Sequence, residues 1–181
     1  MSTSNYVALL RGINVGGHNV RMKQLRALFT ELGLAHVRTY IQTGNVFFET
    51  ADDDVRALEA KIEAHLSAKL GFAVPVFIRS VSTLKKCIQD ASFRGDTVDN
   101  GSRNLVMFLS NPLPTGLTLP HMSPTGEFEV IAVVHDVAFV RLFLRHGRSG
   151  NVTGYIEQAY GIRTTGRFYY TVQKMLALAE Q

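Results

Sequence analysis

The stretch "HVRTYIQTGNVFFET", residues 36–50, does most to limit what this chain can fold into. Val37, Thr39 and Ile41 alternate with Arg38, Tyr40 and Gln42, and Gly44-Asn45 follows where the chain must reverse. That is the pattern of a β-hairpin. Helical patterns bracket it. Residues 21–33 put Met22, Leu25, Leu28, Phe29 and Leu32 on one face, with Gly33 placed to stop the helix. A second helix runs from about Asp53 to Leu70, through Val55, Leu58, Ile62 and Leu66, and ends at Gly71. Its acidic opening complements the positive end of a helix. The apolar strands "NYVALLR" and "VPVFIR" flank the set.

The resulting order, βαββαβ, is that of a ferredoxin-like split unit. A short helix then runs from Ser82 to about Asp90, and "SFRGDTVDNGSRN" reads as a polar linker. A second unit starts with the strand "NLVMFLS". "NPLPTGLTLPHMSPTG" holds four of the five prolines and reads as loop. Two strands in "EFEVIAVVHDVAFVRLFL" turn near His135-Asp136, and residues 151–160 and 168–179 read as helices. "IEAHLSAKLGFAV" and "IEQAYGIRTT" repeat one theme of helix, glycine and extended chain. The expected architecture is α+β: two tandem ferredoxin-like units with antiparallel sheets, at 1–80 and 103–181, joined by the helix and linker at 81–102. Strand runs near Leu9 and Val133 are apolar on both faces, so each sheet is expected to be covered twice, by the other half.

At 181 residues the chain can bury roughly 70% of its unfolded surface, so it needs no staples. Its single cysteine, Cys87, excludes an internal disulfide and any multi-cysteine metal site. Cys87 lies at helical spacing from Leu84 and Ile88 and is expected to be buried. No apolar run approaches the about 18 residues of a membrane span, and no basic start opens a signal peptide. A cytoplasmic protein without a membrane partner is expected. Six scattered histidines include no pair at metal spacing, and no nucleophile elbow occurs. Neither metal nor cofactor is expected. Nothing sets an oligomeric state.

"ALLRGINVGGHNVRM" joins the first strand to the first helix. Gly12 to Asn19 has the spacing of a P-loop, G-x-x-x-x-G-K-[ST], but His18 stands in place of the lysine and Asn19 in place of the hydroxyl that holds Mg²⁺. Nucleoside triphosphate hydrolysis is thereby disfavoured. Two readings remain. The loop is an anion nest of backbone N–H groups, flanked by Arg11, Arg21 and Lys23. Or it is a corner, with Gly16 and Gly17 supplying positive φ and Asn14 and Asn19 bonding the local backbone. The candidate ligand-binding residues are Arg11, Gly12, Asn14, Gly16, Gly17, Asn19 and Lys23, the hairpin-tip residues Gln42 and Asn45, and Arg167.

Net charge is +4, and all the excess lies in residues 137–181, which hold six Lys/Arg against two Glu and seven of the 17 Phe and Tyr. Such a basic, aromatic-rich third points to an anionic partner. Arg141, Arg145, Arg148, Tyr169 and Tyr170 are candidate nucleic-acid contacts. The RNA-recognition module shares the βαββαβ order and stacks bases on its first and third strands, where Tyr6 and Phe47 are the candidate pair. Core packing is the alternative for both.

"ALLRGINVGG" and "TYIQTGNVFF" also resemble a known family, domain of unknown function 1697, and the similarity extends to "TTGRFYYTVQKM". The family pattern there is close to T-T-R-N-W-N-T-V. Arg167, Thr171 and Val172 match it, while Gly166, Phe168, Tyr169 and Tyr170 stand where Thr, Asn, Trp and Asn would be. The resemblance implies a bacterial protein of two ferredoxin-like units and implies no activity. Taken together, the sequence leads us to expect non-catalytic binding of an anion, either nucleic acid or a phosphorylated small molecule. An enzyme acting on a metabolite in a cleft between the units, and a structural or protein-interaction module, are the alternatives.

Overall fold

In the computed structural model, which describes residues 3–90, 101–145 and 149–179, the hairpin forms where the alternation places it. The chain divides into two compact units, 1–84 and 85–181. Unit 1 runs β1 (Ser4–Leu10), α1 (Met22–Glu31), β2 (Ala35–Tyr40), β3 (Asn45–Thr50), α2 (Val55–Leu70) and β4 (Val76–Ser80). The next helix, α3 (Val81–Gln89), carries the division within it and buries Cys87.

The sheet of unit 1 has the order β2-β3-β1-β4, with every neighbouring pair antiparallel. Both helices lie on one face. Leu25, Leu28 and Phe29 of α1 and Leu58, Ile62 and Leu66 of α2 join Tyr6, Ala8, Leu10, Val46, Phe48 and Ile78 in one core. Each fully buried Leu or Phe contributes about 1.5–3 kcal/mol. On the opposite face, Val7, Leu9, Phe47 and Phe77 are buried as well.

The register corrects one expectation. Tyr6 pairs with Phe48 and Val7 with Phe47, so Tyr6 and Phe47 lie on opposite faces. Both are buried, and neither offers a base-stacking surface.

The outer strand β4 is guarded by α2. Glu63 accepts from the Val76 N–H at 2.9 Å and Glu59 from the Ile78 N–H at 2.7 Å. Two outward backbone donors are thus satisfied, and this edge is closed to strand addition. Burial raises the Glu59 carboxyl above its ordinary value, against the opposing pull of the Ile78 N–H and of Arg79, whose guanidinium is 3.7 Å away.

Unit 2 holds β5 (Ser102–Leu109), β6 (His121–Met122), β7 (Phe128–Val134), β8 (Val137–Phe143), α4 (Val152–Tyr160), β9 (Thr164–Phe168) and α5 (Tyr169–Ala179). Its sheet order is β6-β7-β8-β5-β9, antiparallel throughout. With the two-residue β6 set aside, the order repeats that of unit 1. The side chains of Asp54 and Asn151 cap α2 and α4 in the same way, each accepting from the backbone N–H three residues on. Among the described residues, the first helix of unit 1 has no counterpart between β5 and β7. The proline-rich segment fills its place, and β6 forms within what reads as loop. Val152 and Ile156 of α4 pack with Met107, Leu109, Val130 and Val140, while α5 packs on β5 and β9.

Candidate functional site

Because β1 runs antiparallel to β3, the end of β1 lies beside the start of β3. The glycine loop and the hairpin tip therefore share one end of the sheet. Leu10 N–H donates to Gly44 O at 2.8 Å and Arg11 N–H to Pro75 O at 2.9 Å, fixing the base of the loop.

Asn14 then fastens loop to hairpin. Its Oδ1 accepts from Val20 N–H at 2.7 Å, closing the loop on itself. Its Nδ2 donates to Gln42 O at 2.8 Å and to Val20 O at 3.3 Å. Asn14 sits at φ 58°, a left-handed conformation that Asn tolerates better than most residues. Gly16 and Gly17 are at 61° and 89°, the positive φ expected of them.

Between loop and tip lies an open cleft of about 450 Å³, lined by Asn14, Val15, Gly16, Gly17, His18, Asn19 and Gln42. The loop spends few of its own donors. His18 N–H reaches Val15 O at 3.1 Å and Val20 N–H is taken by Asn14. Among the described residues, the amides of Val15, Gly16, Gly17 and Asn19 meet no protein acceptor. α1 follows directly, and its N-cap, Arg21, offers no side-chain cap. Among the described residues, no carboxylate lines the cleft. The His18 ring lies flat on Phe72, with centroids 3.8 Å apart and planes 20° apart.

The structure thus brings together Asn14, Gly16, Gly17, Asn19 and Gln42. Gly12 and Arg11 lie half-buried at the base of the loop, and Lys23 is exposed in the first turn of α1. Asn45 is turned inward and fully buried, donating to Tyr40 O at 3.1 Å and Thr43 Oγ1 at 3.0 Å. It builds the hairpin tip and presents nothing to the cleft. Arg167 belongs to unit 2 and is buried on β9, where it donates to Thr165 Oγ1 and Gly166 O. Burial pulls its pKa down to about 10, so it remains charged at neutral pH.

Of the candidate nucleic-acid contacts, Arg141 is half-buried and stands opposite Glu129 in the β7–β8 ladder. Arg145 is exposed and Arg148 lies outside the described residues. Tyr169 is half-buried. Tyr170 is 59% exposed and stacks on exposed Phe168 at 6.1 Å, with the Lys174 ammonium 5.6 Å from its ring centroid. Sequence reading missed Phe168, which the alternation of β9 turns outward beside inward Arg167.

A second, smaller cleft of about 310 Å³ in unit 2 was also missed. Ser123, Thr125, Glu127, Asn151, Tyr155 and Gln158 are among its lining. Tyr155 OH shares a hydrogen bond with His121 Nε2 at 3.0 Å, and burial together with bonding to Tyr155 raises the Tyr160 hydroxyl. Residues 34 apart leave no sequence signal of such contact. Among the described residues, no group of three His, Cys, Asp or Glu is placed to hold a metal, and no helix is long and apolar enough to cross a membrane.

The model of a family described as protein of unknown function, DUF1697, matches residues 3–139. The chain belongs to that family. The match takes in the glycine loop, the hairpin and the proline-rich segment, so the cleft of unit 1 lies wholly inside the part that defines this DUF1697 member. The chain is also similar to a solved structure, the conserved bacterial protein SP0830 from Streptococcus pneumoniae. The two are 20% identical with a TM-score of 0.68, over 99% of this chain and 100% of that one. The likeness is one of fold: mixed α+β with two antiparallel sheets and five helices. No curated protein matches the chain.

Proposed function

We propose that this protein binds a small phosphorylated ligand, without catalysis, in the cleft between the glycine loop and the hairpin tip. One observation carries the reading: among the described residues, four amides of one loop, of Val15, Gly16, Gly17 and Asn19, are left without protein acceptors in a cleft that no carboxylate lines. Such clustered donors form a concave positive site. The uncapped start of α1 adds its partial positive charge nearby. A bound phosphate supplies several acceptor oxygens to match. For a catalytic reading, a titratable group must sit beside the reacting atom. The one imidazole in the lining, that of His18, has its ring laid against Phe72. Isothermal titration of the full chain with glycerol phosphate and ribose phosphate tests the reading. Binding of both with no turnover supports it, and turnover of either moves the protein to the enzyme class.

A second reading, contact with single-stranded nucleic acid, draws on the exposed Phe168–Tyr170 stack and Lys174. Base stacking on such a pair is worth about 1–3 kcal/mol per base. Anisotropy with labelled oligonucleotides at about 50 mM salt decides it, since salt weakens phosphate contacts. As for architecture, the shared sheet order supports two ferredoxin-like units arising by duplication, the second with its first helix replaced. A buried single thiol fits a bacterial cytoplasmic setting.

A further inference from the structure

Unit 2 carries a cleft of its own, which the phosphate reading does not use. One wall is the turn from Ser123 to Phe128 that joins β6 to β7, and the other is the start of α4. Asn151, Tyr155 and Gln158 recur at helical spacing and so form one stripe along that second wall. Tyr155 is held in place by three partners. Its hydroxyl shares a hydrogen bond with His121 Nε2 at 3.0 Å, and its ring meets Phe128 and Tyr160 edge to face, at 5.2 and 6.1 Å between centroids.

The polar groups of the lining are only partly spent. Ser123 is 4% exposed, and its Oγ accepts from Glu127 N–H at 3.1 Å and Phe128 N–H at 3.2 Å. Two accepted bonds fill its lone pairs and leave its own proton to donate elsewhere. Among the described residues that proton meets no acceptor. A buried donor left unmade is costly, so it asks for an explanation. Asn151 Oδ1 is taken by Gly154 N–H at 2.9 Å, and among the described residues its two Nδ2 donors meet no acceptor. Glu127 is opposite in kind: Oε2 accepts from the Thr125 hydroxyl at 2.9 Å, and Oε1 stays open. Gln158, exposed and without a bonded partner among the described residues, brings both a donor and an acceptor.

This mixture selects the ligand. An anion answers Ser123 and Asn151 but is repelled by Glu127, and among the described residues no lysine or arginine lines the cleft to offset it. An ammonium answers Glu127 but has no lone pair for the Ser123 and Asn151 donors. A hydroxyl answers both kinds, because it donates and accepts at once. We propose that this cleft binds a neutral polyhydroxylated ring, a sugar or cyclitol, with its hydroxyls on Ser123, Glu127, Asn151 and Gln158 and its C–H face against Tyr155. The cleft volume of about 310 Å³ is at the small end of ligand pockets, which suits a single ring.

Amide spectra of the ¹⁵N-labelled full chain, followed through titrations with D-glucose, D-galactose, D-mannose and myo-inositol, test it. At least one is expected to give saturable shifts at the side-chain NH₂ resonances of Asn151 and Gln158 and at the backbone amides of Glu127 and Gly154. About a dozen heavy atoms at ordinary ligand efficiency give a Kd of roughly a millimolar, so titration to about 50 mM saturates the site. Ethylammonium and inorganic phosphate are expected to leave those resonances unmoved. Asn151→Asp keeps an oxygen for the Gly154 N–H and removes the Nδ2 donors, while Gln158→Ala alters an exposed helix position. Each is expected to weaken binding about two- to twelve-fold, the worth of one hydrogen bond, with the rest of the spectrum that of the folded protein. The proposal is overturned by saturable shifts confined to other residues, by no shift with any of the four, or by unchanged affinity in both variants. Tighter binding of ethylammonium or phosphate at these residues overturns it as well.

Discussion

The two units leave their first strand by different routes. In unit 1, β1 passes through the glycine loop into α1 and the loop turns back to meet the hairpin through Asn14. In unit 2, β5 passes into a proline-rich segment that buries Leu113 and adds the short strand β6. Both sheets nonetheless reach the same order of four strands. Closing this sheet therefore does not demand a glycine loop. In unit 2 the corresponding segment is occupied by its own packing, whereas in unit 1 the loop keeps four amides unspent. The contrast separates the two roles that glycines play here. Gly44 is needed by the fold, and Gly16 and Gly17 leave room for something else.

That separation sets the largest expected effect. Gly44 sits at φ 76°, and a Cβ there comes within 2.9 Å of Leu10 Cβ and 3.3 Å of Ile13 Cβ. Gly44→Val is expected to destabilise the protein by about 3 kcal/mol or more, through strain and overpacking together. Gly16 and Gly17 have nothing within 4 Å of an added Cβ. Gly17→Ala is expected to cost only about 1–2 kcal/mol, from backbone strain alone. Urea unfolding of both variants compares them, and equal losses would erase the distinction between fold glycine and site glycine.

Next in size is Asn14→Ala. It removes the three hydrogen bonds that hold the loop to itself and to the hairpin, and is expected to cost about 2 kcal/mol and to weaken phosphate binding. Its foil in unit 2 is Asn151→Ala, which loses the α4 cap for about 1 kcal/mol and should leave binding untouched. Loss of binding in the Asn151 variant would mean that the site extends beyond unit 1. Ile41 sits at φ 48°, and Ile41→Asn acts in the opposite sense, with an expected gain of about 1 kcal/mol from relief of the left-handed strain. Thermal unfolding reads it directly.

The smallest effect is the pH dependence set by Glu59. Its folded pKa is raised by burial above the ordinary 4.5, so the folded state holds its proton longer than the unfolded state. The stability it contributes is complete below 4.5 and drains as pH rises through the folded value. Glu59→Gln still offers an oxygen to Ile78 N–H and is expected to flatten that component. Denaturant midpoints across pH 4 to 7 compare the two proteins, and parallel profiles would show that Glu59 does not titrate differently on folding.

Elements whose side chains alternate or recur locally were readable from the sequence. The hairpin, α1, α2 and the helix-then-glycine echo between units all come from short-range patterns. Other features depend on partners distant in sequence. Asn45 reads as a polar tip residue, and only the fold shows its amide turned inward to Tyr40 O. Arg167 reads as a ligand-binding cation, but the parity of β9 buries it and exposes Phe168 instead. Tyr155 and His121 meet only through tertiary packing. The shared location of the glycine loop and the hairpin tip was within reach, since antiparallel pairing of β1 with β3 follows from the βαββαβ order and places both at one end. The strain at Ile41 was not, because nothing in "TYIQTGN" marks isoleucine as left-handed.

The central claim is that the unspent amides of the glycine loop take a phosphate. Amide proton and nitrogen shifts of the uniformly ¹⁵N-labelled full chain, followed through a titration with inorganic phosphate at constant ionic strength, test it most directly. The account predicts saturable shifts largest at Val15, Gly16, Gly17 and Asn19, with the Asn151–Gly154 turn of unit 2 unmoved. Saturable shifts confined to other residues, or none at those four amides up to about 50 mM phosphate, a level at which a site with millimolar Kd is saturated, would contradict it.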